Sequence, residues 1–207
     1  MPSQSFGKWV SVRLPELDEI ENAHRQVGGT SRGRRYATSQ LNHAYTMLVS
    51  SQFQGYCRYL HSECVDILIR AMEVPGVSPS DWRRMLREEF LGRRKLDFGN
   101  PNAGALAEDF RRLCTELWTE LRVLDSKNAE WQRLLTELNA WRNAIAHQNF
   151  DPINLNGTAC TFAPYLSLDQ VRKWRRTCDG LAGAFDTVMR VHLVGLTGNL
   201  PWEGVSK

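Results

Sequence analysis

From Leu41 to Ile69 the chain reads LNHAYTMLVSSQFQGYCRYLHSECVDILI, with apolar residues at Leu41, Tyr45, Leu48, Val49, Phe53, Tyr56, Leu60, Val65, Leu68 and Ile69. Most of these intervals are three or four residues, the period of a helix; a half-buried strand would alternate every second residue. Between about Arg34 and Met72 there is no proline, and Gly55 is the only glycine. The segment is therefore expected to form one long central helix, part of whose surface could serve a dimer.

The flanking segments follow the same period. A short helix is expected from Pro15 to Gln26, with Pro15 in its first turn and Glu16, Asp18, Glu19 and Glu21 complementing the helix dipole; Gly28-Gly29 ends it. Pro75-Gly76-Val77-Ser78-Pro79 is a break, after which Ser78 or Ser80 can cap a helix holding Trp82, Met85, Leu86, Phe90 and Leu91. Asp97 to Asn102 reads as a loop of turn residues. One helix is expected from about Ala105 to Leu124, another from about Asn128 to His147, and a last one from an N-cap at Ser167 toward Leu196. The connection from Gln148 to Pro164 is longer than usual and suggests a functional or hairpin-like excursion, with Thr158 to Phe162 as the one strand candidate. The expectation is an all-α helical bundle forming a single domain over residues 1–207, with its core from about residue 32 to 196.

Composition narrows the class. The 207 residues are 42% hydrophobic and 24% charged, a globular balance, and no apolar run approaches the roughly 18–20 residues that span a bilayer. The first residues lack the apolar stretch of a signal peptide, so a cytoplasmic protein with no membrane partner is expected. Net charge is +3, yet 21 of the 26 basic residues are arginine, whose planar fork grips phosphate bidentately. The bias leaves an RNA partner open, although a GC-rich genome produces it equally well. Cys57, Cys64, Cys114, Cys160 and Cys178 form no CxxC pair and read as reduced thiols in or near the core, so neither a metal site nor another cofactor is expected.

The helix ending at His147 carries the residues with most chemistry. Trp131, Leu134, Leu138, Trp141 and Ile145 define one apolar stripe, and Arg142 falls within it or at its edge. A guanidinium there is costly unless an anion or hydrogen-bonding group satisfies it. Asn143 and His147 are helical neighbours four residues apart, whereas Arg142 and His147 are separated by roughly 140° of rotation. RNA cleavage by attack of the ribose 2′-OH on the adjacent phosphate suits these groups. Imidazole can take or give a proton near neutral pH, and guanidinium can stabilise charge developing on the phosphate. Arginine–histidine spacing alone is weak, because roughly 1.5 matches are expected by chance. Arg142 could equally cap a carbonyl or pair with a carboxylate while His147 simply finishes the helix.

Arg142-Asn143-x-x-x-His147 at the end of an amphipathic helix resembles the Rx4-6H motif of the HEPN superfamily. With the stretch Ser51 to His61, the resemblance points to the RiboL-PSP-HEPN branch and extends from about Arg32 to Leu196. It implies a bundle that dimerises so that two motifs face one cleft, and a metal-independent endoribonuclease, often a toxin with an antitoxin partner or an anti-phage effector. Carried over, Arg142 stabilises the transition state, His147 transfers protons, and Asn143 is the polar residue after the arginine. Relatives silenced by nucleotidylation carry tyrosine two residues past the histidine, where Asn149 stands here. Some members only bind RNA or protein; a buried His147 would favour that alternative, and neutralising or sensing another toxin is a third.

Further basic residues are weaker RNA-binding candidates. Arg58 and His61 lie one turn apart on the long helix, where a cleft lining competes with a surface or dimer salt bridge. Arg172, Lys173, Arg175 and Arg176 form a basic turn that could grip a backbone or simply be solvated. Arg32, Arg34 and Arg35, and Arg93, Arg94 and Lys95, are similar clusters. His24, His43 and His192 have no partner by spacing and read as incidental.

Overall fold

The computed structural model describes residues 1–28, 38–72, 78–155, 158–160, 162 and 166–202. Within them the protein is an all-α helical bundle with one two-stranded hairpin. Arg32, Arg34 and Arg35, the Pro75-Gly76-Val77 break and the Cys160 side chain lie outside the described residues.

The first helical rod starts well before Pro15. Helix α1 (Gln4–Lys8) passes through a π-helical turn (Trp9–Arg13) into α2 (Leu14–Gly28). Ser3 caps it, its hydroxyl accepting the Phe6 N–H at 3.0 Å, and Glu63 accepts the Gln4 and Ser5 N–H groups at 2.9 and 3.0 Å. Pro15 is therefore interior. The looser winding just before it accommodates the ring and the missing N–H, so a residue that signals a helix start here sits within a continuing one.

Helix α3 (Ser39–Ala71) buries Tyr45, Val49, Phe53, Tyr56, Leu60 and Val65 completely. Its single glycine has a packing reason, since a Cβ at Gly55 would fall 2.7 Å from the Arg13 guanidinium. Arg13 donates there to Gln52 and lies over the Tyr59 ring, tying the first rod to α3.

Helix α4 (Pro79–Leu91) follows with Pro79 in its first turn. The segment from Lys95 to Leu124 departs from the sequence expectation twice. Lys95–Phe98 forms a one-turn helix, α5, and the helix expected from Ala105 to Leu124 is two: α6 (Ala103–Arg111) and α7 (Leu117–Leu124). The break turns on Cys114, whose φ is +60°. Leu106, Phe110, Leu113, Leu117 and Leu121 are nevertheless all at most 1% exposed, so the apolar period runs across the break undisturbed. The backbone groups it frees are satisfied locally: the Phe110 carbonyl accepts from Leu113 N–H at 2.9 Å, and His192 Nε2 donates to the Leu113 carbonyl at 2.7 Å. His192 is thereby structural.

Helix α8 (Asn128–His147) has the expected bounds, and Asp125 accepts the Lys127 N–H at 2.9 Å just before it. Strands β1 (Ile153–Leu155) and β2 (Thr158–Cys160) pair antiparallel with Ile153 opposite Cys160, placing a hairpin in the long connection. Helix α9 (Leu168–Thr197) starts at Ser167, whose hydroxyl accepts the Gln170 N–H at 3.1 Å, and ends at Gly198 with φ +68°.

Helices α3, α8 and α9 form the spine, with α1, α4 and α7 packed around it. Tyr56 donates to the Ala182 carbonyl at 2.7 Å, and Asn42 to the Leu166 carbonyl at 2.7 Å, fixing α3 along α9 and the segment before it. Among the described residues no helix is long and apolar enough to cross a membrane.

The α8–α9 crossing depends on a glycine. A Cβ at Gly180 would meet the Trp131 ring at 2.2 Å, so the ring would have to shift. Gly180→Ala should gain about 1 kcal/mol of helix propensity yet destabilise the protein by about 1–3 kcal/mol net through overpacking. Urea unfolding checks the sign: a variant more stable than the wild type would show that the Trp131 ring swings away freely.

Candidate functional site at the end of helix α8

The packing of α8 determines what its last turns present. Leu134, Leu138, Trp141 and Ile145 are buried, while Arg142 is half-buried at the edge of that face and Asn143 and His147 are exposed. Arg142 thus avoids the desolvation cost that a fully core position would impose. The helix closes in a Schellman turn: Gln148 has φ +51°, Asn149 N–H donates to the Ala144 carbonyl at 3.0 Å, and Gln148 N–H to the Ile145 carbonyl at 3.4 Å. The chain then doubles back, bringing the Phe150 ring centre to 6.3 Å from that of Trp141.

A chain of amides holds Arg142. Its Nη1 donates to Asn143 Oδ1 at 3.2 Å, and the same oxygen accepts from Asn100 Nδ2 at 2.8 Å. Asn102 donates to Asn100 Oδ1 at 3.3 Å while its own Oδ1 caps α6 by accepting the Ala105 N–H at 2.9 Å. One turn earlier on α8, buried Asn139 donates to the Pro101 carbonyl at 3.1 Å. Residues 99–102 are thereby latched onto α8, and the latch ends at the guanidinium. Among the described residues Arg142 forms no ion pair with a carboxylate, and the His147 ring makes no hydrogen bond. A permanent cation and an unengaged imidazole stand at one helix end.

The weaker RNA-binding candidates fare differently. His61 is fully buried, edge-on to Phe110, with Nε2 donating to the Asp109 carbonyl at 3.1 Å. Burial, helped by the nearby Arg94 charge, pulls its pKa down to about 4. It is a neutral core histidine and cannot contact RNA. Arg58, one turn before it, is exposed and paired with Asp97 at 2.7 Å; buried Arg94 completes that cluster, with Nη2 2.9 Å from Asp97. Lys95 faces Glu108 at 3.5 Å.

The basic turn on α9 is largely neutralised by α2. Arg172 pairs with Glu21 at 2.6 Å, and Arg175 with Asp18 at 2.6 Å and Glu21 at 3.4 Å, while Tyr45 donates its hydroxyl to Glu21 at 3.3 Å. Burial works against the charged form of Glu21, but the hydrogen bonds and charge of Arg172 outweigh it and hold the carboxyl below its usual range. Arg172 and Arg175 therefore clamp helices together instead of offering charge to a backbone. Lys173 lies 4.0 Å from Glu130, and Arg176 is exposed.

Asn100, His43 and Phe150 were not legible as neighbours of the motif. His43, half-buried on α3, stacks on Phe150 with ring centres 5.8 Å apart and planes 25° apart. Only the turn-rich composition of residues 97–102 hinted at a special loop, and nothing in it pointed to α8. Of the cysteines, Cys57, Cys64 and Cys178 are buried, with burial raising each thiol's pKa, while Cys114 is exposed. Among the described residues no group of three or more His, Cys, Asp or Glu side chains is placed to hold a metal.

A groove of about 1910 Å³ runs between the N-terminal residues, α3, α4 and the segment after α9, and touches neither Arg142, Asn143 nor His147. Within one chain Asn143 and His147 are exposed, with Arg142 half-buried beside them. No protein-family model, curated protein or solved structure matches this chain.

Two outcomes follow from the burial of His61 and the pairing of Glu21. Between about pH 6.5 and 4 the unfolded chain takes up a proton at residue 61 that the folded chain refuses. Stability should fall with pH through that window, by up to about 3 kcal/mol from this group. His61→Gln should flatten this part of the urea-measured pH profile; an unchanged slope would place the proton uptake elsewhere. Glu21→Ala should cost about 2–3 kcal/mol by removing the carboxylate that Arg172 and Arg175 share, leaving them only Asp169 and Asp18, while Arg176→Ala stays within about 0.5 kcal/mol. Equal effects in thermal unfolding would contradict the clamp.

Proposed function

We propose that the protein is a metal-independent endoribonuclease that cleaves RNA by attack of the 2′-OH on the adjacent phosphate, with Arg142 and His147 as catalytic residues and Asn143 beside them. One observation carries this reading: the guanidinium is held by the Asn143 amide, with no carboxylate partner among the described residues, on a helix that ends in an exposed imidazole. A cation destined for a structural ion pair resembles Arg172 or Arg175, each bound to an acid. Amides orient a guanidinium without cancelling its charge, which leaves that charge for phosphate oxygens.

The division of labour follows from the chemistry. The His147 imidazole takes the 2′-OH proton or delivers one to the departing 5′-oxygen. Arg142 stabilises the charge that builds on the non-bridging oxygens as the phosphorus becomes five-coordinate. Asn143 and Asn100 are positioning residues that fix the guanidinium. The resemblance to the HEPN superfamily adds a second copy, whose motif would close a cleft over the end of α8, and with it a role as a toxin or anti-phage effector. A non-catalytic RNA- or protein-binding module of the same family is the second reading, but exposure of His147 favours proton transfer over packing.

Purified protein should cleave single-stranded RNA in EDTA, leaving 2′,3′-cyclic phosphate and 5′-OH ends. His147→Ala should lower the rate by about 100-fold or more, and Arg142→Ala by a similar factor. Asn100→Ala should lower kcat several-fold with less change in KM, because it loosens the guanidinium without removing it. Equal cleavage by wild type and His147→Ala would overturn the proposal.

A further inference from the structure

The aromatic residues beside the motif have an arrangement that packing alone leaves unexplained. Phe150 is 38% exposed although it touches three other rings: His43 nearly parallel at 5.8 Å, Trp141 at 6.3 Å, and Phe162 edge-on at 6.1 Å. Trp141 is itself anchored in the core against Trp174 at 6.3 Å. The ring is therefore packed into an aromatic cluster while part of it stays in water. Desolvation lowers the His43 pKa, and the neutral ring suits a stack on phenylalanine.

Position gives this platform a meaning. Phe150 follows His147 by three residues across a hydrogen-bonded Schellman turn, and Trp141, against which it folds, immediately precedes Arg142. The exposed aromatic ring and the two phosphate-directed groups thus share one helix end. Single-stranded RNA is recognised largely by stacking unpaired bases on aromatic side chains, at about 1–3 kcal/mol per base. A ring already packed on its neighbours loses little conformational entropy when a base lands on it.

We propose that Phe150, backed by His43, is a nucleobase-stacking subsite that seats one base next to the phosphate addressed by Arg142 and His147. This deepens the endoribonuclease reading and rests on it for the identity of the ligand, unpaired RNA. It assigns Phe150 and His43 a role in binding and register, and none in proton transfer. Stacking tolerates any base, so the subsite fixes where along the strand cleavage occurs more than which sequence is cut.

The test is an abasic walk on an oligoribonucleotide nine residues long, 2′-O-methylated throughout so that it cannot be cleaved. Each base is removed in turn, and binding to the full-length protein is measured by fluorescence anisotropy. One position should lose about five-fold or more in affinity with wild type and with Phe150→Tyr, but not with Phe150→Leu, which keeps the apolar contact with Trp141. His43→Leu should shrink the same difference. Circular dichroism and thermal unfolding of each variant separate a local loss from unfolding.

If no position distinguishes wild type from Phe150→Leu, including because neither binds, the subsite does not exist. Cleavage of the unmethylated oligonucleotide by wild type and His147→Ala is scored separately. A base-dependent loss through Phe150 without any cleavage would retain the stacking subsite and overturn the nuclease. Cleavage that requires His147 but is indifferent to Phe150, with a flat abasic walk, would do the reverse.

Discussion

Burial of the Trp141 side of α8 against α9 is the constraint from which the candidate site follows. Once Leu134, Leu138, Trp141 and Ile145 face the core, helical geometry leaves no freedom: Arg142 comes to the edge, and Asn143 and His147 point outward. The close approach of Trp131 to Gly180 sets the same rotation near the other end of the helix. The chemistry-bearing residues therefore need no special fold of their own. They inherit their direction from apolar packing one or two residues away.

Charge on this surface means little until its partners are known. The four basic residues at the start of α9 look like an anion-binding patch in the sequence, yet two of them are bound to acids carried by α2, some 150 residues earlier. Arg142 forms no ion pair with a carboxylate among the described residues, and its contact is the Asn143 amide. An excess of arginine is therefore a poor guide to phosphate binding. Absence of a carboxylate partner is a better one, because a buried or half-buried ion pair has already exchanged its hydration for a protein anion.

The all-α class was legible because periodicity is a local property: the apolar spacing in α3, α8 and α9 and the Ser167 cap all lie within a few residues of what they determine. Where the reading failed, the deciding interaction was distant or the pattern was ambiguous. The α6–α7 break was invisible because Leu113 and Leu117 keep helical spacing on either side of a residue at positive φ. The early start of the first rod depended on Glu63 accepting backbone N–H groups nearly sixty positions away. His61 read as a surface or cleft residue beside Arg58, and only the packing of Phe110 and the carbonyl of Asp109 reveal it as core. The motif itself could be seen, but not Asn100, which reaches α8 from a loop with no sequence signal of its destination.

The helix end imposes a last condition on any phosphate bound there. Carbonyl dipoles make a C-terminus electronegative, the wrong sign for an anion and the right one for a protonated imidazole. Capping by the Schellman turn satisfies two of those carbonyls, which reduces the repulsion without reversing it. The guanidinium must therefore overcome a local field as well as bind its ligand. With Arg142 and His147 roughly 140° apart around the axis, one copy can bring both to a phosphodiester only over the tip of the helix, where that field is strongest. A second copy facing the first would add another guanidinium and let the phosphate sit between two helices instead of over one. On electrostatic grounds the proposed chemistry is thus better served by a paired site than by a solitary chain.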